Sequence, residues 1–243
     1  MSKQSKKKGR VVKPAKKSHM TTYVVVGIVA AIIVAASAWY VYSSSRQTTT
    51  TSSTTYTGTS GFVYAVITTS QGTMEAELFR NETPATVNNF VSLADSGFYT
   101  DLVWHRIVRE PATATTPPFD LIQTGDPTSE KGAGNPCSWG DTSSPKTVPL
   151  EIVPSLHNYV GYLGMARLSG NNNSGSSQFY INLSNNTSLD GGYTVFGKLI
   201  SGLSVAQAIG SLPINPSCNT ATDGPPETPS DALVLSITIK NSP

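Results

Sequence analysis

The hydrophobic pattern opens with one long apolar run and then changes to short alternating segments. Tyr23–Tyr42 holds twenty residues without a charge and is dominated by Val, Ile and Ala. A helix of that length spans about 30 Å, the thickness of the hydrocarbon core of a bilayer. Aromatic residues at both ends of the run suit the two membrane interfaces. The pattern therefore predicts one transmembrane signal-anchor helix over residues 23–42.

The segments on either side of this run set its predicted orientation. Residues 1–20 carry eight Lys or Arg and no acid. Because basic residues hold the adjacent end of a span in the cytoplasm, we expect residues 1–22 to be a cytoplasmic tail and the rest to lie on the outer face of the cell membrane. A cleaved signal peptide ending at Ala38 stays an alternative, although the apolar run continues through Tyr42. Residues 43–61 are Ser/Thr-rich with one charge, which predicts a flexible linker.

From residue 62 onward, β-branched and aromatic residues recur in short segments, which predicts a folded domain over residues 62–243. Thr83-Pro84 followed by apolar residues at helical spacing predicts a helix with Thr83 as N-cap, ending at Gly97, and a second short helix begins near Ser204. Many short strands with two helices favour an antiparallel barrel or sandwich. The predicted strands are residues 62–67, 73–79, 103–108, 120–123, 160–166, 178–183, 194–198 and 232–239.

The charge and the cysteine content limit which classes of partner and cofactor we expect for this protein. Beyond residue 20 the chain has nine basic and fifteen acidic residues, so a nucleic-acid partner is not expected. Cys137 and Cys218 have no second Cys or His at metal-ligand spacing, and nothing in the sequence indicates a metal or another cofactor. Outside the cytoplasm the two cysteines could form one disulfide. Two unpaired buried thiols are the alternative, and the sequence leaves both open.

Five short motifs follow one another between residues 103 and 197. In this order they closely resemble the cyclophilins, the peptidyl-prolyl cis-trans isomerases that turn over X-Pro bonds, over roughly residues 61 to 240. The resemblance narrows the fold to a mainly β, closed eight-stranded antiparallel barrel capped by two α-helices. The motifs are Val103-Trp104-His105-Arg106-Ile107, Ile122-Gln123-Thr124-Gly125-Asp126, Gly164-Met165-Ala166, Ser177-Gln178-Phe179-Tyr180-Ile181 and the stretch from Leu189 to Gly197.

The resemblance also implies which residues carry the chemistry. Rotation about an X-Pro bond has a barrier near ~20 kcal/mol, because the nitrogen lone pair is delocalised into the carbonyl. A dry pocket for the ring and a donor that draws the lone pair back onto nitrogen lower that barrier. Arg106 matches the catalytic arginine, and His105 is expected to be structural, since no proton moves. The implied substrate-binding residues are Gln123, Leu121, Phe119, Ala166, Arg167, Gln178, Tyr180, Leu189 and Tyr193.

Several positions depart from the family pattern. Ile107 and Gln123 lie sixteen positions apart, which corresponds to an insertion of about nine residues. Asp120 stands where a pocket phenylalanine is expected, with Phe119 one place earlier, and a one-residue slip would reverse the faces of that strand. Ser188 replaces a tryptophan that chiefly contacts cyclosporin in sensitive members. We therefore expect weak cyclosporin binding.

These observations support one leading function and one alternative. The leading hypothesis is a membrane-tethered isomerase that accelerates X-Pro isomerisation during the folding of unfolded or newly exported proteins, a slow step without a catalyst. The alternative is a catalytically weak or inactive proline-peptide-binding module tethered to the membrane, motivated by the insertion and by Asp120. The presence of both Arg106 and Gln123 favours the enzyme. A basic-tailed nucleic-acid-binding or lipid-binding protein is disfavoured, because the basic block precedes the anchor.

Overall fold

The computed structural model of the protein describes residues 62–218 and 221–243. The predicted tail, signal-anchor helix and linker all lie outside the described residues. Among the helices that the structure does describe, none has the length and apolar character needed to cross a bilayer.

In this described part of the chain, ten antiparallel strands form a single curled sheet. The hydrogen-bonded order is β3-β10-β1-β2-β8-β6-β7-β5-β4-β9. Every predicted strand overlaps an observed one, and β9 was not predicted. In chain order the strands are β1 (Val63–Thr69), β2 (Gly72–Leu78), β3 (Leu102–Val103), β4 (Arg106–Glu110), β5 (Phe119–Thr124), β6 (Tyr162–Met165), β7 (Phe179–Asn182), β8 (Val195–Ser201), β9 (Asp223–Gly224) and β10 (Leu233–Lys240).

The sheet differs from the expected closed eight-stranded barrel. Within the described residues it is an open half-barrel, whose order ends at the two-residue strands β3 and β9. The predicted strand over residues 103–108 is split, because Trp104 turns its side chain into the core and donates its backbone N–H to Ala232 at 2.8 Å. As a result β3 pairs with β10 whereas β4 pairs with β5 and β9. The chain turns a corner there instead of continuing one ladder.

Within the described residues two α-helices accompany the sheet, as predicted. They are α1 (Pro84–Asp95) and α2 (Leu203–Gly210). Thr83 precedes α1, but its hydroxyl makes no capping bond and donates instead to a carbonyl of the preceding turn. Glu151 takes over the capping role, because its carboxylate accepts from the N–H groups of Ala85 and Thr86 at 3.0 and 2.8 Å. A carboxylate at this end of a helix also complements the helix dipole.

An aromatic cluster fills the inner face of the curled sheet. The rings of Phe90 and Phe179 meet edge to face with centroids 5.3 Å apart. Ile107 and Ile122 are also fully buried on this face. Because side chains alternate along a strand, their neighbours in β4 and β5 point to the outer face of the sheet. The fully buried members of the cluster are Phe90, Tyr99, Trp104, Phe179 and Phe196.

The structure joins Cys137 and Cys218 in a disulfide, one of the two alternatives that the sequence leaves open. The Cα atoms are 4.9 Å apart across a sequence separation of 81. The bond ties the short 3-10 turn Pro136–Ser138 to the loop that precedes β9.

Candidate active site

The outer face of β4 and β5 carries a row of three cross-strand pairs. A polar pair, an apolar pair and a pair of an acid with an aromatic ring follow one another along the two strands. Directly opposite residues of an antiparallel ladder have neighbouring side chains on one face. The row therefore puts a guanidinium and an amide beside an apolar patch. The pairs are Arg106 with Gln123, Val108 with Leu121, and Glu110 with Phe119.

An apolar cluster, called the pocket from here on, occupies the middle of this face. Val108, Leu121 and Tyr180 form its buried floor, and Tyr180 is adjacent because β7 pairs it with Gln123. Four of the residues that the resemblance assigns to substrate binding line the pocket as partly buried walls, which suits a binding site for a small apolar ring such as that of proline. These walls are Phe119, Ala166, Leu189 and Tyr193.

The register of β5 determines which of the two side chains, Phe119 or Asp120, faces the pocket. Phe119 shares its face with Leu121, because the two are separated by the strand period, and it packs against the pocket. Asp120 lies on the other face. There its backbone carbonyl accepts a hydrogen bond from Asn186 Nδ2 at 2.8 Å, and burial raises the pKa of its carboxyl. The phenylalanine one place earlier thus supplies an aromatic wall despite the altered spacing.

Tyr180 is held in place by its hydroxyl and by the strand beneath its ring. The hydroxyl donates to Asn158 Oδ1 at 2.7 Å, and burial raises its pKa well above the usual value. β6 pairs Gly164 with Tyr180, and a Cβ at that glycine would collide with the ring. Tyr193 meets the ring edge to face with centroids 6.0 Å apart. The ring therefore fits because the residue below it has no side chain.

Arg106 forms a bidentate ion pair with Asp223, a residue that the sequence did not single out. Its Nε donates to Oδ1 at 2.8 Å and its Nη2 to Oδ2 at 2.7 Å. The pKa of Arg106 is raised above its usual value, mainly because of these hydrogen bonds. Asp223 reaches the site because β9 pairs with β4, which places it opposite Val108. No motif marks Asp223, since it lies 117 positions from its partner.

A chain of amide hydrogen bonds positions Gln123. Its Nε2 donates to Gln178 Oε1 at 2.8 Å, and Gln178 Nε2 donates to the carbonyls of Gly140 and Thr142, both at 2.8 Å. The fully buried Asp126 holds that loop, because its Oδ2 accepts from the N–H groups of Gly140 at 2.6 Å and Thr142 at 3.2 Å. The acid of the second motif thus supports the groove indirectly, a role that the sequence did not reveal.

A second cavity adjoins the pocket on the side of Ala166 and Gln178. It has a volume of about 430 Å³, and Arg167 lies along its wall. The Arg167 guanidinium stacks over Tyr193 at 4.9 Å from the ring centroid, and its Nε donates to the carbonyl of Gly192 at 2.6 Å. The structure thus brings Arg167 and Tyr193 together at the edge of the pocket.

His105 lies behind the site and does not enter it. The side chain is buried, and neither ring nitrogen makes a hydrogen bond to the described residues. Burial lowers its pKa to about 4, against the opposing effect of the Asp126 charge. The imidazole is therefore neutral at physiological pH and has the character of a packing residue. Among the described residues, no cluster of three or more His, Cys, Asp or Glu could hold a metal ion.

Comparisons with known proteins identify the family. Residues 64–233 match the family described as cyclophilin type peptidyl-prolyl cis-trans isomerase/CLD. The chain belongs to this cyclophilin family. A Neurospora crassa peptidyl-prolyl cis-trans isomerase-like 1 is 35% identical over 158 residues, which cover 65% of this chain and 86% of that protein. An Aspergillus niger protein of the same name is 38% identical over 148 residues, 60% of this chain and 81% of the relative.

Solved cyclophilin structures agree with this assignment. A crystal structure of a Cryptosporidium parvum cyclophilin type peptidyl-prolyl cis-trans isomerase has a TM-score of 0.54 and 29% identity, covering 75% of this chain and 99% of that one. A second crystal structure of that protein, in the presence of the dipeptide Ala-Pro, has a TM-score of 0.53. The protein is thus a cyclophilin-type isomerase built on a mainly β, curled sheet with few helices.

Proposed function

We propose that this cyclophilin isomerises X-Pro bonds with Arg106 as the donor to the prolyl nitrogen. The carrying observation is the cross-strand pair of Arg106 and Gln123, which lies on the same face as the apolar pocket. A proline ring seated between Phe119 and Leu189 would have its nitrogen directed towards that polar pair. Gln123 would hold the substrate backbone, and Tyr180 would form the floor.

The chemistry follows from the electronic change during rotation. As the C–N bond turns out of plane, conjugation is lost and the lone pair localises on nitrogen. A fixed cationic donor stabilises that charge more strongly than it stabilises the planar ground state, which is the condition for catalysis. The Nη1 group of Arg106 lies outside the pair with Asp223 and is available for this task. The step moves no proton and forms no covalent intermediate.

The proposed substrates are proline-containing chains that are unfolded or newly exported. We place the domain, residues 62–243, outside the cytoplasm, with residues 23–42 as the membrane anchor, 43–61 as the linker and 1–22 as the cytoplasmic tail. The Cys137–Cys218 disulfide supports this placement, since such bonds persist in oxidising compartments. Alkaline carbonate washing of membranes tests the anchor. Release of the protein into the wash would contradict it.

A weak proline-peptide-binding module is the second candidate. Asp223 favours it, because the carboxylate occupies two donor groups of Arg106 and offsets its charge. Binding would then persist through the pocket while turnover falls. For both candidate functions we expect a low affinity for cyclosporin, since Ser188 offers no indole next to Leu189. A submicromolar cyclosporin dissociation constant would contradict that point.

One experiment separates the two candidates. Cis/trans exchange in a short Ala-Pro peptide is measured by NMR with the full-length protein and with Arg106→Ala, Arg106→Lys and Arg109→Ala. Arg109→Ala is the matched control, because Arg109 belongs to the same strand but faces the opposite side of the sheet. The lysine variant keeps the charge without the planar fork. We expect Arg106→Ala to lose about 10²–10³ in rate, as for other fixed donors.

The outcomes assign the function clearly. Fast exchange that collapses in Arg106→Ala and survives in Arg109→Ala supports the proposed isomerase mechanism. Peptide binding by the wild-type protein with exchange no faster than in the free peptide would support the binding module. Equal rates for the wild type and Arg106→Ala would remove Arg106 from the mechanism. Thermal unfolding of each variant reports whether the fold is retained.

A further inference from the structure

The insertion between β4 and β5 encloses a cavity of its own. The cavity has a volume of about 670 Å³ and lies between this loop and the turn that precedes Leu189. Its walls are mostly apolar and proline-rich, and one acid stands among them. The lining residues that matter here are Glu110, Pro111, Pro117, Pro118, Phe119 and Ser188.

Hydrogen bonds fix the loop that forms this cavity. The hydroxyl of Thr113 accepts from the N–H of Thr116 at 3.0 Å, and the two hydroxyls lie 2.7 Å apart. At the base of the loop, Ser184 Oγ bonds to the Pro118 carbonyl at 3.2 Å and accepts from the Asp120 N–H at 2.9 Å. The prolines restrict the backbone further. The cavity is therefore a built feature of the fold, wide enough for a side chain.

The cavity continues the proline pocket. Phe119 lines both, and Ser188 directly precedes the pocket residue Leu189. The other flank of the pocket opens into the cavity lined by Ala166 and Gln178. A peptide crossing the face would enter over one cavity and leave over the other. The family resemblance implies that Ala166, Arg167 and Gln178 form the groove for the residues that precede proline, so the residues that follow proline meet the cavity of the insertion.

We propose that this cavity is a subsite for the residue that follows proline, selecting a long side chain with a cationic end, lysine or arginine. The inference rests on the isomerase function proposed above and names a substrate class for it. The aliphatic stem of such a side chain would pack against Pro111 and Pro118. Its charged end would stay in contact with water and approach the carboxylate of Glu110. Glu110 stands directly opposite Phe119 in the β4–β5 ladder, which puts its carboxylate at the junction of pocket and cavity.

The charges around the cavity support a cationic ligand. Among the described residues that line this cavity, Glu110 is the only one with a charged side chain. Arg109 and Asp120 occupy the opposite face of the same ladder and form their own pair of neighbours there. Arg106 lies four ladder positions from Glu110, close enough for the Glu110 charge to help raise its pKa, and it is already paired with Asp223. An acidic side chain after proline would therefore meet the like charge of Glu110 in the cavity.

The test compares peptides that differ only after proline. NMR exchange rates are measured with the full-length protein for Ala-Ala-Pro-Lys, Ala-Ala-Pro-Glu and Ala-Ala-Pro-Gln peptides with blocked ends, and with Glu110→Gln. Because exposed ion pairs are weak, we expect kcat/KM for the lysine peptide to exceed that for the glutamate peptide about threefold to tenfold. The Glu110→Gln variant should remove most of that ratio. Glu82→Gln removes another exposed charge, in the segment between β2 and α1, and should keep the ratio.

Each result decides one question. Amide signals of Thr113 and Thr116 that move on addition of the lysine peptide support the subsite. Equal rates for the lysine and glutamate peptides, with rapid Ala-Pro exchange, overturn the subsite and leave the isomerase function intact. A lysine preference that Glu110→Gln leaves unchanged also overturns it. Loss of exchange for every peptide would instead contradict the proposed function.

Discussion

Asp223 fixes the orientation of Arg106 through two parallel hydrogen bonds, Nε to Oδ1 at 2.8 Å and Nη2 to Oδ2 at 2.7 Å. A bidentate pair of this kind sets the plane of the guanidinium as well as its position. The side chains are 41% and 26% exposed, so solvent screens the pair and its effect on stability is small. Its main consequence is to fix the plane of the guanidinium while leaving Nη1 outside the pair.

Removing Asp223 should therefore affect turnover more than folding. In Asp223→Ala the guanidinium gains rotational freedom, and we expect kcat for an Ala-Pro peptide to fall about tenfold with KM nearly unchanged, because misplacement of a catalytic group costs rate. Asp223→Glu keeps the carboxylate and should recover part of the loss. Measuring kcat and KM separately by NMR exchange distinguishes this positioning role from a purely structural one.

A rise in kcat in Asp223→Ala would contradict this prediction. It would show that the carboxylate withholds the guanidinium from substrate, as the binding-module alternative requires. Asp95→Ala serves as a control, since Asp95 is an exposed acid at the C-terminal end of α1, a helix that carries none of the candidate site residues.

The Cys137–Cys218 disulfide should stabilise the domain and restrain the loop that precedes β9. A bond that closes a loop of 81 positions contributes about 4 kcal/mol in the chain-entropy treatment. We expect Tm to fall clearly in the Cys137→Ser/Cys218→Ser double variant and in the reduced wild type. Differential scanning calorimetry with and without reductant checks this. An identical Tm in both states would show that the loop ends are held without the bond.

Gly164 should be intolerant of any side chain because of Tyr180. A Cβ there would collide with the ring, so Gly164→Ala must displace either β6 or the pocket floor. We expect a loss of about 1–3 kcal/mol in the free energy of unfolding, as for other overpacked sites, together with a lower kcat/KM. Gly192→Ala is the control, since its Cβ would meet nothing nearer than 3.4 Å. Equal stability of the two variants would contradict the argument.

The candidate site residues that lie on regular strands could be selected from the sequence. Arg106 and Gln123 belong to motifs in neighbouring segments, and the structure pairs them directly. The side of Phe119 was left open, although the strand period already groups it with Leu121 and Gln123. The register shows which face of the strand carries Phe119, since β5 begins at Phe119 and keeps this alternation without a bulge.

The sequence did not predict the features that depend on distant loops. Asp223 comes from a two-residue strand with no hydrophobic pattern, and only the fold brings it to Arg106. The split between β3 and β4 was missed for a similar reason. The stretch from Val103 to Val108 looks continuous in the sequence, whereas in the fold Trp104 still bonds to Ala232 beside β10 and Arg106 begins the pairing with β5. Long-range pairing of this kind is not encoded in any local window.

Stability should decline in acid partly through His105. Burial lowers the pKa of this residue from 6.5 to about 4, so above pH 6.5 it is neutral in both states. Between pH 6.5 and about 4 the unfolded chain takes up the proton and the native protein does not. The unfolded state is thereby stabilised, and the free energy of unfolding falls as pH falls through this window. At about 1.4 kcal/mol per pKa unit the full effect is about 3 kcal/mol.

Urea unfolding at several pH values across this window tests the assignment. In His105→Phe the ring stays apolar and cannot be protonated, so the slope of unfolding free energy against pH should be shallower than in the wild type. His157→Phe is the control, because His157 is partly exposed and pairs with Asp190 instead. Parallel slopes for the wild type and His105→Phe would show that His105 takes up its proton over the same pH range in the native and unfolded states, and would contradict the prediction. Because the reaction transfers no proton, kcat near neutral pH should not change with pH as long as the protein stays folded.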